Sequence, residues 1–406
     1  MKVIYSLVLS LVFILPFSVS AQNDSVSFTF LNQDFQENGK SGSYQLKSDF
    51  NISSNSINME MFADYLFKTS FSEQAKDKFL EKQNAKTNVL QNWSSKINYK
   101  LTDSLVLYLK HGTFVGYTSS KELTELLLFG NYNKKGEEVQ ANGFNWNRNT
   151  SFSVGINQKL KSWNKVKLFA GYGLLALTNY SQIRSKELSL FTEETGDYLD
   201  VDVNNLEYVQ NQEGNILRGV GIDLNATVKY YPNQINEFIL AVKNINPTYL
   251  FIGDVLKFDS SLRFEGYNVN VLDLNDLESE IDSTFDNVIA RAQEKNHFAF
   301  LPSNINLTWN KRLKAGDRLL TRLVLNGLGR YGASLGLGYT ALTKKGFAIN
   351  SELEFGTFSN LQWNESIEYA SPNGFNLYVS LRGINGLLMQ QNSYSSGAVF
   401  GFSRRL

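Results

Sequence analysis

His111 and His297 are the only imidazoles in the chain, and cysteine is absent. Structural and catalytic metals take several nitrogen, sulfur or carboxylate ligands at short recurrent spacings, and neither histidine has a second one at H-x-x-x-H spacing. The lack of cysteine also removes thiolate nucleophiles, a disulfide framework and a lipid-bearing cysteine. No G-x-S-x-G elbow, phosphate loop or dinucleotide fingerprint is present. Gly336-Leu337-Gly338 falls inside an alternating apolar run, without the strand-to-helix context that a phosphate loop requires. These residues imply a protein that is not an enzyme, with no catalytic residues, no cofactor and no metal.

What remains with chemical potential is charge placed on strands. Asp223, Arg318, Arg322, Glu352, Glu354, Glu368 and Arg382 occupy positions that an alternating strand turns inward. Such residues can form a polar pore or ligand path, but opposite charges in a narrow lumen pair with each other and hold it closed. Pairing is the favoured reading. Lysine plus arginine equals aspartate plus glutamate at 39 each, so overall charge points to no nucleic-acid partner.

The elements that must position these charges alternate with period two, the mark of a strand with one apolar and one polar face. Phe144, Trp146, Phe152, Val154, Ile156 and Leu160 share one parity, while Asn145, Asn147, Asn149, Ser151, Ser153, Asn157 and Lys159 share the other. After a turn at Ser162-Trp163 the apolar parity continues through Val166, Leu168, Ala170, Tyr172, Leu174 and Ala176. Val220 to Tyr230 behaves alike, and Pro232-Asn233-Gln234 turns it into Phe238, Leu240 and Val242. Leu319, Leu323 and Leu325 oppose Arg318 and Arg322; Phe347, Ile349, Leu353 and Phe355 oppose Asn350, Glu352 and Glu354. With 29 Phe, 20 Tyr and 29 Gly against 5 Pro, this pattern fits an all-β transmembrane antiparallel barrel with aromatic girdles.

Short turns near Thr102-Asp103, Ser162-Trp163, Asn233, Ala315-Gly316, Lys344-Lys345 and Asn373 alternate with long connections over residues 119–143, 180–214 and 247–296. Outer-membrane barrels keep short turns on the periplasmic side. Thirteen strands follow from Trp93 onward, and the alternating run Ile57, Met59, Met61, Ala63, Tyr65, Phe67 adds one, giving about fourteen. Tyr44 to Ile52 also alternates, and residues 262–268 fit a strand within a long loop. The expected division is a signal peptide over 1–21, an N-terminal periplasmic or lumen-filling, hatch-like segment over 22–55, and the barrel over 56–406. The signal peptide rests on Lys2, the apolar stretch Val3 to Phe17 and small residues before Gln22. It implies export to the outer membrane of a Gram-negative bacterium.

Short helices are expected in the loops. One covers residues 72–91 on alternating charges and capping-box spacing between Ser70 and Glu73, and another covers residues 121–129. A third follows the stripe Leu274, Leu277, Ile281, Phe285, Val288 and Ala292. Glu193, Glu194, Asp197, Asp200 and Asp202 make one outer loop acidic, which suits protein contact, divalent bridging to lipopolysaccharide, or plain acidic surface.

The run Leu217-Arg-Gly-Val-Gly-Ile-Asp-Leu-Asn-Ala226 resembles the G-x-G-I-D-L-G-like strand of barrels in the long-chain fatty-acid transporter (FadL-type) superfamily, which includes PorV-like outer-membrane proteins of the Bacteroidota. Weaker similarity extends to residues 122–131, 242–250 and 301–307. Two features depart from the family pattern. The N-terminal N-P-A segment is missing, and the chain ends Phe400-Gly-Phe-Ser-Arg-Arg-Leu406, which places the assembly signal at Phe400 and Phe402. The resemblance implies a non-enzymatic barrel, an accessory or binding subunit of an outer-membrane secretion or assembly complex. The alternative it implies is a channel for uptake of hydrophobic small molecules. Outer-membrane lipid and lipopolysaccharide, protein partners in such a complex and a hydrophobic ligand are the corresponding expected partners.

Overall fold

The computed structural model describes residues 41–61, 86–129, 134–209, 216–251, 254–265, 290–293, 297–313, 316–327, 332–343, 346–356, 359–385 and 394–405. The chain begins with β1 (Ser43–Ser54), β2 (Lys86–Thr102) and β3 (Leu105–Ser120), then helix α1 (Lys121–Phe129) and β4 (Glu138–Gln140). It continues through β5 (Asn145–Ser162), β6 (Val166–Arg184), β7 (Glu187–Thr192), β8 (Tyr198–Val209), β9 (Gly219–Tyr230) and β10 (Asn236–Leu250). Next come β11 (Asp254–Glu265), β12 (Ala290–Gln293), β13 (His297–Leu301), β14 (Asn304–Arg312), β15 (Arg318–Asn326) and β16 (Ala333–Leu342). The last four are β17 (Phe347–Gly356), β18 (Ser359–Ala370), β19 (Phe375–Arg382) and β20 (Ser395–Arg405).

Fourteen of these strands form one closed antiparallel wall: β1, β2, β3, β5, β6, β9, β10 and β14 to β20. β20 pairs back on β1, with Phe400 opposite Ser48. Closure satisfies every strand edge, which is what lets a sheet cross lipid. Among the described residues no helix is long and apolar enough to cross a membrane.

Side chains alternate across the wall as the pattern requires. On β17 Phe347, Leu353 and Phe355 are exposed outward while Ala348, Asn350 and Glu352 are buried inward. β9 exposes Val220, Ile222 and Tyr230 and buries Asp223 completely. The apolar surface of this molecule is therefore outside, toward lipid, and the polar surface is inside. Outward aromatics line the ends of the strands next to the short turns: Tyr230, Phe238 and Trp309 stack at 6.3 and 6.4 Å. Tyr44, Phe402 and Phe375 continue the row at 5.7 and 5.2 Å. Phe402 thus belongs to the girdle at the end of the barrel where β1 starts and β20 ends.

The short turns form where their chemistry dictates. Asn233 Oδ1 accepts from the backbone of Ile235 at 3.0 Å and Asn236 at 2.8 Å, closing the β9–β10 hairpin. At the opposite end the long connections build a second structure. β4, β7, β8, β11 and β12 pair in succession, and β8 joins the outer end of β6 through Gln182, Ile183 and Arg184. A 19-residue strand such as β6 spans roughly 60 Å at about 3.3 Å per residue, well beyond an apolar band of about 25 Å. Its upper part carries this outer sheet. Leu175, Leu177 and Tyr180 of β6 pack with Val209, Leu250, Val255 and Leu301 into the main apolar cluster, beside the barrel mouth.

Several expectations are corrected. The first wall strand is β1, residues 43–54, not the run from Ile57; Met59 instead begins a helix capped by Asn58, whose Oδ1 accepts from Met61 N at 2.9 Å. The barrel therefore starts inside the stretch expected to fill the lumen, and residues 22–40 and the signal peptide lie outside the described residues. Residues 86–91 belong to β2, not to a helix, and the rest of that expected helix is outside the described set. Ala292 lies on β12, paired with Val255, so the third helical stripe does not extend to it, and residues 274–289 are not described. α1 forms as expected, with Ser120 Oγ accepting from Leu123 N at 3.2 Å. The expected loop strand appears as part of β11.

Candidate functional site

The inward faces of the wall converge on a charged waist beneath a cavity of about 310 Å³ in the outer half of the lumen. Inward glycines decide how the charges meet. Arg322 on β15, Gly336 on β16 and Glu354 on β17 are register partners in one row. With no side chain at the middle position, Arg322 Nη2 lies flat along the wall to reach Glu352 Oε1 at 2.8 Å and Glu354 Oε2 at 3.4 Å. A Cβ on Gly336 would stand 2.0 Å from Glu352 Oε1. Asn364 Nδ2 donates to Glu354 at 3.0 Å from the next strand.

A second row runs through Tyr108, Gly155, Gly173 and Asp223 on β3, β5, β6 and β9. The Tyr108 hydroxyl crosses both glycines to donate to Asp223 Oδ2 at 3.2 Å; a Cβ at either glycine would approach it within 2.7 Å. Lys110 Nζ lies 3.8 Å from the same carboxylate and donates to Asn244 Oδ1 at 2.6 Å. Asn244 has φ of 60° and sits in a bulge of β10, its N–H donating to Asn225 Oδ1 at 3.0 Å. Asp223 on β9 thus holds both Tyr108 and Lys110 of β3. Arg382 on β19 reaches over β20 at Gly397 to Asp49 Oδ2 on β1, 2.9 Å away.

Of the seven inward charges read from the sequence, Arg322, Glu352 and Glu354 form one cluster, and Asp223 and Arg382 join partners that parity did not identify. Glu368 is fully buried, accepting from Asn376 Nδ2 at 3.1 Å, and Arg318 is half-buried at the inner end of β15. These two stand apart from the waist. Sequence reasoning passed over Asp49, Lys47, Lys96, Lys110 and Lys243. His111 faces outward between Trp93 at 5.5 Å and Phe152 at 4.6 Å. Ser95, its register partner, hydrogen-bonds to Ser48 at 2.9 Å.

The cavity is lined by eight asparagines and five serines, with Leu90, Phe114, Leu301, Pro302 and Val324 as its apolar contacts. Lys110, Asp49, Arg322, Glu354 and Arg382 supply its charged lining. In the outer sheet, Arg263 binds Asp200 through two hydrogen bonds of 2.7 and 2.8 Å and holds that carboxyl below its ordinary range. The Thr195 hydroxyl and neighbouring backbone N–H groups do the same for Glu193. Among the described residues no three acidic or histidine side chains converge to hold a metal ion.

Comparison with protein-family models finds no match, and comparison with curated proteins finds none. Solved structures similar in architecture include the toluene transporter TbuX of Ralstonia pickettii, at 7% identity and TM-score 0.41, covering 91% of this chain and 90% of that one. A Pseudomonas aeruginosa FadL homologue matches at 8% identity and TM-score 0.42, covering 89% of each chain. The Pseudomonas putida toluene transporter TodX matches at 9% and 0.41, covering 92% of each. At this level the likeness concerns barrel architecture alone.

Proposed function

We propose that this chain is an outer-membrane channel that admits small amphipathic molecules, with the cavity as the vestibule in which they are first held. The cavity carries the reading. Its volume of about 310 Å³ is at the lower end of ligand pockets, room for a solute of one ring or a short chain. Neutral amides and hydroxyls dominate the lining, while the five apolar contacts are divided between β2 and β3 on one wall and the β13–β15 region across from it. Such a surface suits a solute with both an apolar and a hydrogen-bonding part, because a bare hydrocarbon would leave those amides without partners. The vestibule favours passage over the accessory-subunit role that the family resemblance implies.

The ion pairs of the waist form the floor, and passage requires them to part. The test is solute flux into liposomes carrying the folded barrel, with a small aromatic solute as the probe. Flux above that of protein-free liposomes is expected, and it should rise when Arg382→Met with Asp49→Asn removes one floor pair. No flux in either protein, together with no binding of the probe, refutes the channel.

A further inference from the structure

Three lysines stand side by side on three neighbouring strands. Lys47 of β1 is the register partner of Lys96 of β2, and Lys96 is the partner of Lys110 of β3. Each takes an inward position, two residues along its strand from a buried inward side chain: Gln45, Asn98 and Tyr108. From the facing wall, Lys243 on β10 comes within electrostatic reach of Lys47, Lys110 and Arg322.

Like charges directly opposite on paired strands destabilise a sheet. The surroundings offset this only in part. Asp223 stands 3.8 Å from Lys110, and Lys96 lies over the Tyr108 ring at 4.6 Å. Asp49 is engaged by Arg382, and Glu352 and Glu354 by Arg322. Among the described residues Lys47, Lys96 and Lys243 form no ion pair, and the waist holds six cationic against four carboxylate side chains. Lys47 and Lys96 face the lumen at intermediate exposure and Lys243 is exposed, so a small ion can reach them.

We infer that the lysine row is an anion site, binding the oxyanion group of the solute, a carboxylate or a phosphate, and making the waist anion-selective. The solute's identity rests on the channel reading above; the anion site itself does not. Ammonium groups that outnumber the carboxylates around the lumen attract any anion and repel cations. Asn244, Asn225 and Tyr108 are then the neighbours that fix where Lys110 points. An amphipathic solute would keep its apolar part against Phe114 and Leu301 above while its charged end meets the lysines below.

The test uses the full folded chain in detergent, with potassium phosphate or potassium benzoate replacing potassium chloride at equal ionic strength. At least one of the two should raise the thermal unfolding midpoint of the wild type and leave that of Lys47→Gln/Lys96→Gln unchanged; Lys243→Gln should lose part of the shift. Stabilisation by benzoate alone identifies a carboxylate site, and by phosphate alone a phosphate site. In planar bilayers under a salt gradient the wild type should favour anions. The double variant should lose roughly thirtyfold in the anion-to-cation permeability ratio, taking two charges each about 8 Å from the passing ion in a water-like dielectric and acting with opposite sign on anion and cation. Equal stabilisation of wild type and variants, or a cation-selective wild type, overturns the anion site. A barrel that is stabilised by an oxyanion only when the lysines are present, yet conducts nothing, keeps the anion site and removes the channel.

Discussion

Replacing Arg322 by methionine tests whether the floor of the vestibule is held by charge. The guanidinium faces two carboxylates at 2.8 and 3.4 Å. Methionine keeps most of the length and none of the charge. Glu352 and Glu354 are then left on the same face of β17, two residues and roughly 7 Å apart at about 3.3 Å per residue. At an effective dielectric of about 20 their repulsion is on the order of 2 kcal/mol, where the arginine formerly screened it. Orphaning a buried charge adds to this, and breaking a buried pair costs about 3–5 kcal/mol in full burial. Arg322 and Glu354 retain 23% and 19% side-chain exposure, so water takes up part of the loss. The expected cost is about 2–3 kcal/mol.

The assay is reversible urea unfolding of the barrel in lipid vesicles, followed by tryptophan fluorescence, for the wild type and Arg322→Met. The triple variant that adds Glu352→Gln and Glu354→Gln completes the comparison. Because the triple variant leaves neutral amides with Asn364 still beside position 354, it should recover most of the lost stability. A single variant within about 0.5 kcal/mol of wild type, or a triple variant no better than the single, refutes the idea that this cluster is a mutually dependent unit.

Gly336→Ala should destabilise the barrel by about 1–3 kcal/mol, because its Cβ would stand 2.0 Å from Glu352 Oε1, and Glu352→Ala in the same chain should remove most of that cost in the same unfolding assay. Acidification should loosen the outer sheet before the wall. Hydrogen bonds from Thr195 depress the Glu193 carboxyl and those from Arg263 depress Asp200, so their stabilisation is present above the ordinary carboxylate range and is lost as pH falls through the depressed values. Hydrogen exchange measured from neutral to strongly acidic pH should show faster opening of β7 and β8 than of β9, and uniform protection would contradict this assignment.

Wall strands were legible wherever a clear turn signal bounded an alternating run, as Asn233 does between β9 and β10. The N-terminal part was not, because Tyr44 to Ile52 and Ile57 to Phe67 both alternate, and alternation carries no information about which run is paired. What separates them is local chemistry. Ser54 Oγ accepts from Ser56 N at 3.2 Å and Ile57 N at 3.0 Å, and Asn58 caps the helix that follows. That S-N-S-I-N sequence ends a strand and starts a helix within five residues. The reverse error occurred at β2, where charge alternation gave the expected helix a start but neither glycine nor proline gave it a stop. The outer sheet escaped detection for a different reason: its strands lie within long connections, and their pairing is set by partners far away in the chain.

The waist shows why inward parity alone locates charges without grouping them. Parity says that a side chain enters the lumen, whereas its neighbours follow from register, and register depends on bulges such as the shift between Val242 and Ile245 that brings Lys243 and Asn244 inward together. Lys47, Lys96 and Lys110 are 49 and 14 residues apart in sequence yet adjacent in space, so their shared row emerges only when β1 is placed between β20 and β2. Inward glycines carry the complementary signal. Gly155, Gly173 and Gly336 each leave a gap in which a long polar side chain from a neighbouring strand lies along the wall. Two such rows hold Asp223 and Glu354 within reach of Tyr108 and Arg322, while in the lysine row Lys110 has a carboxylate, Asp223, beside it and Lys47 and Lys96 form no ion pair among the described residues. The wall is built to neutralise charge at the first two places and does so only in part at the third, which is why Lys47 and Lys96, more than the paired residues, are where a solute can contribute what the protein does not.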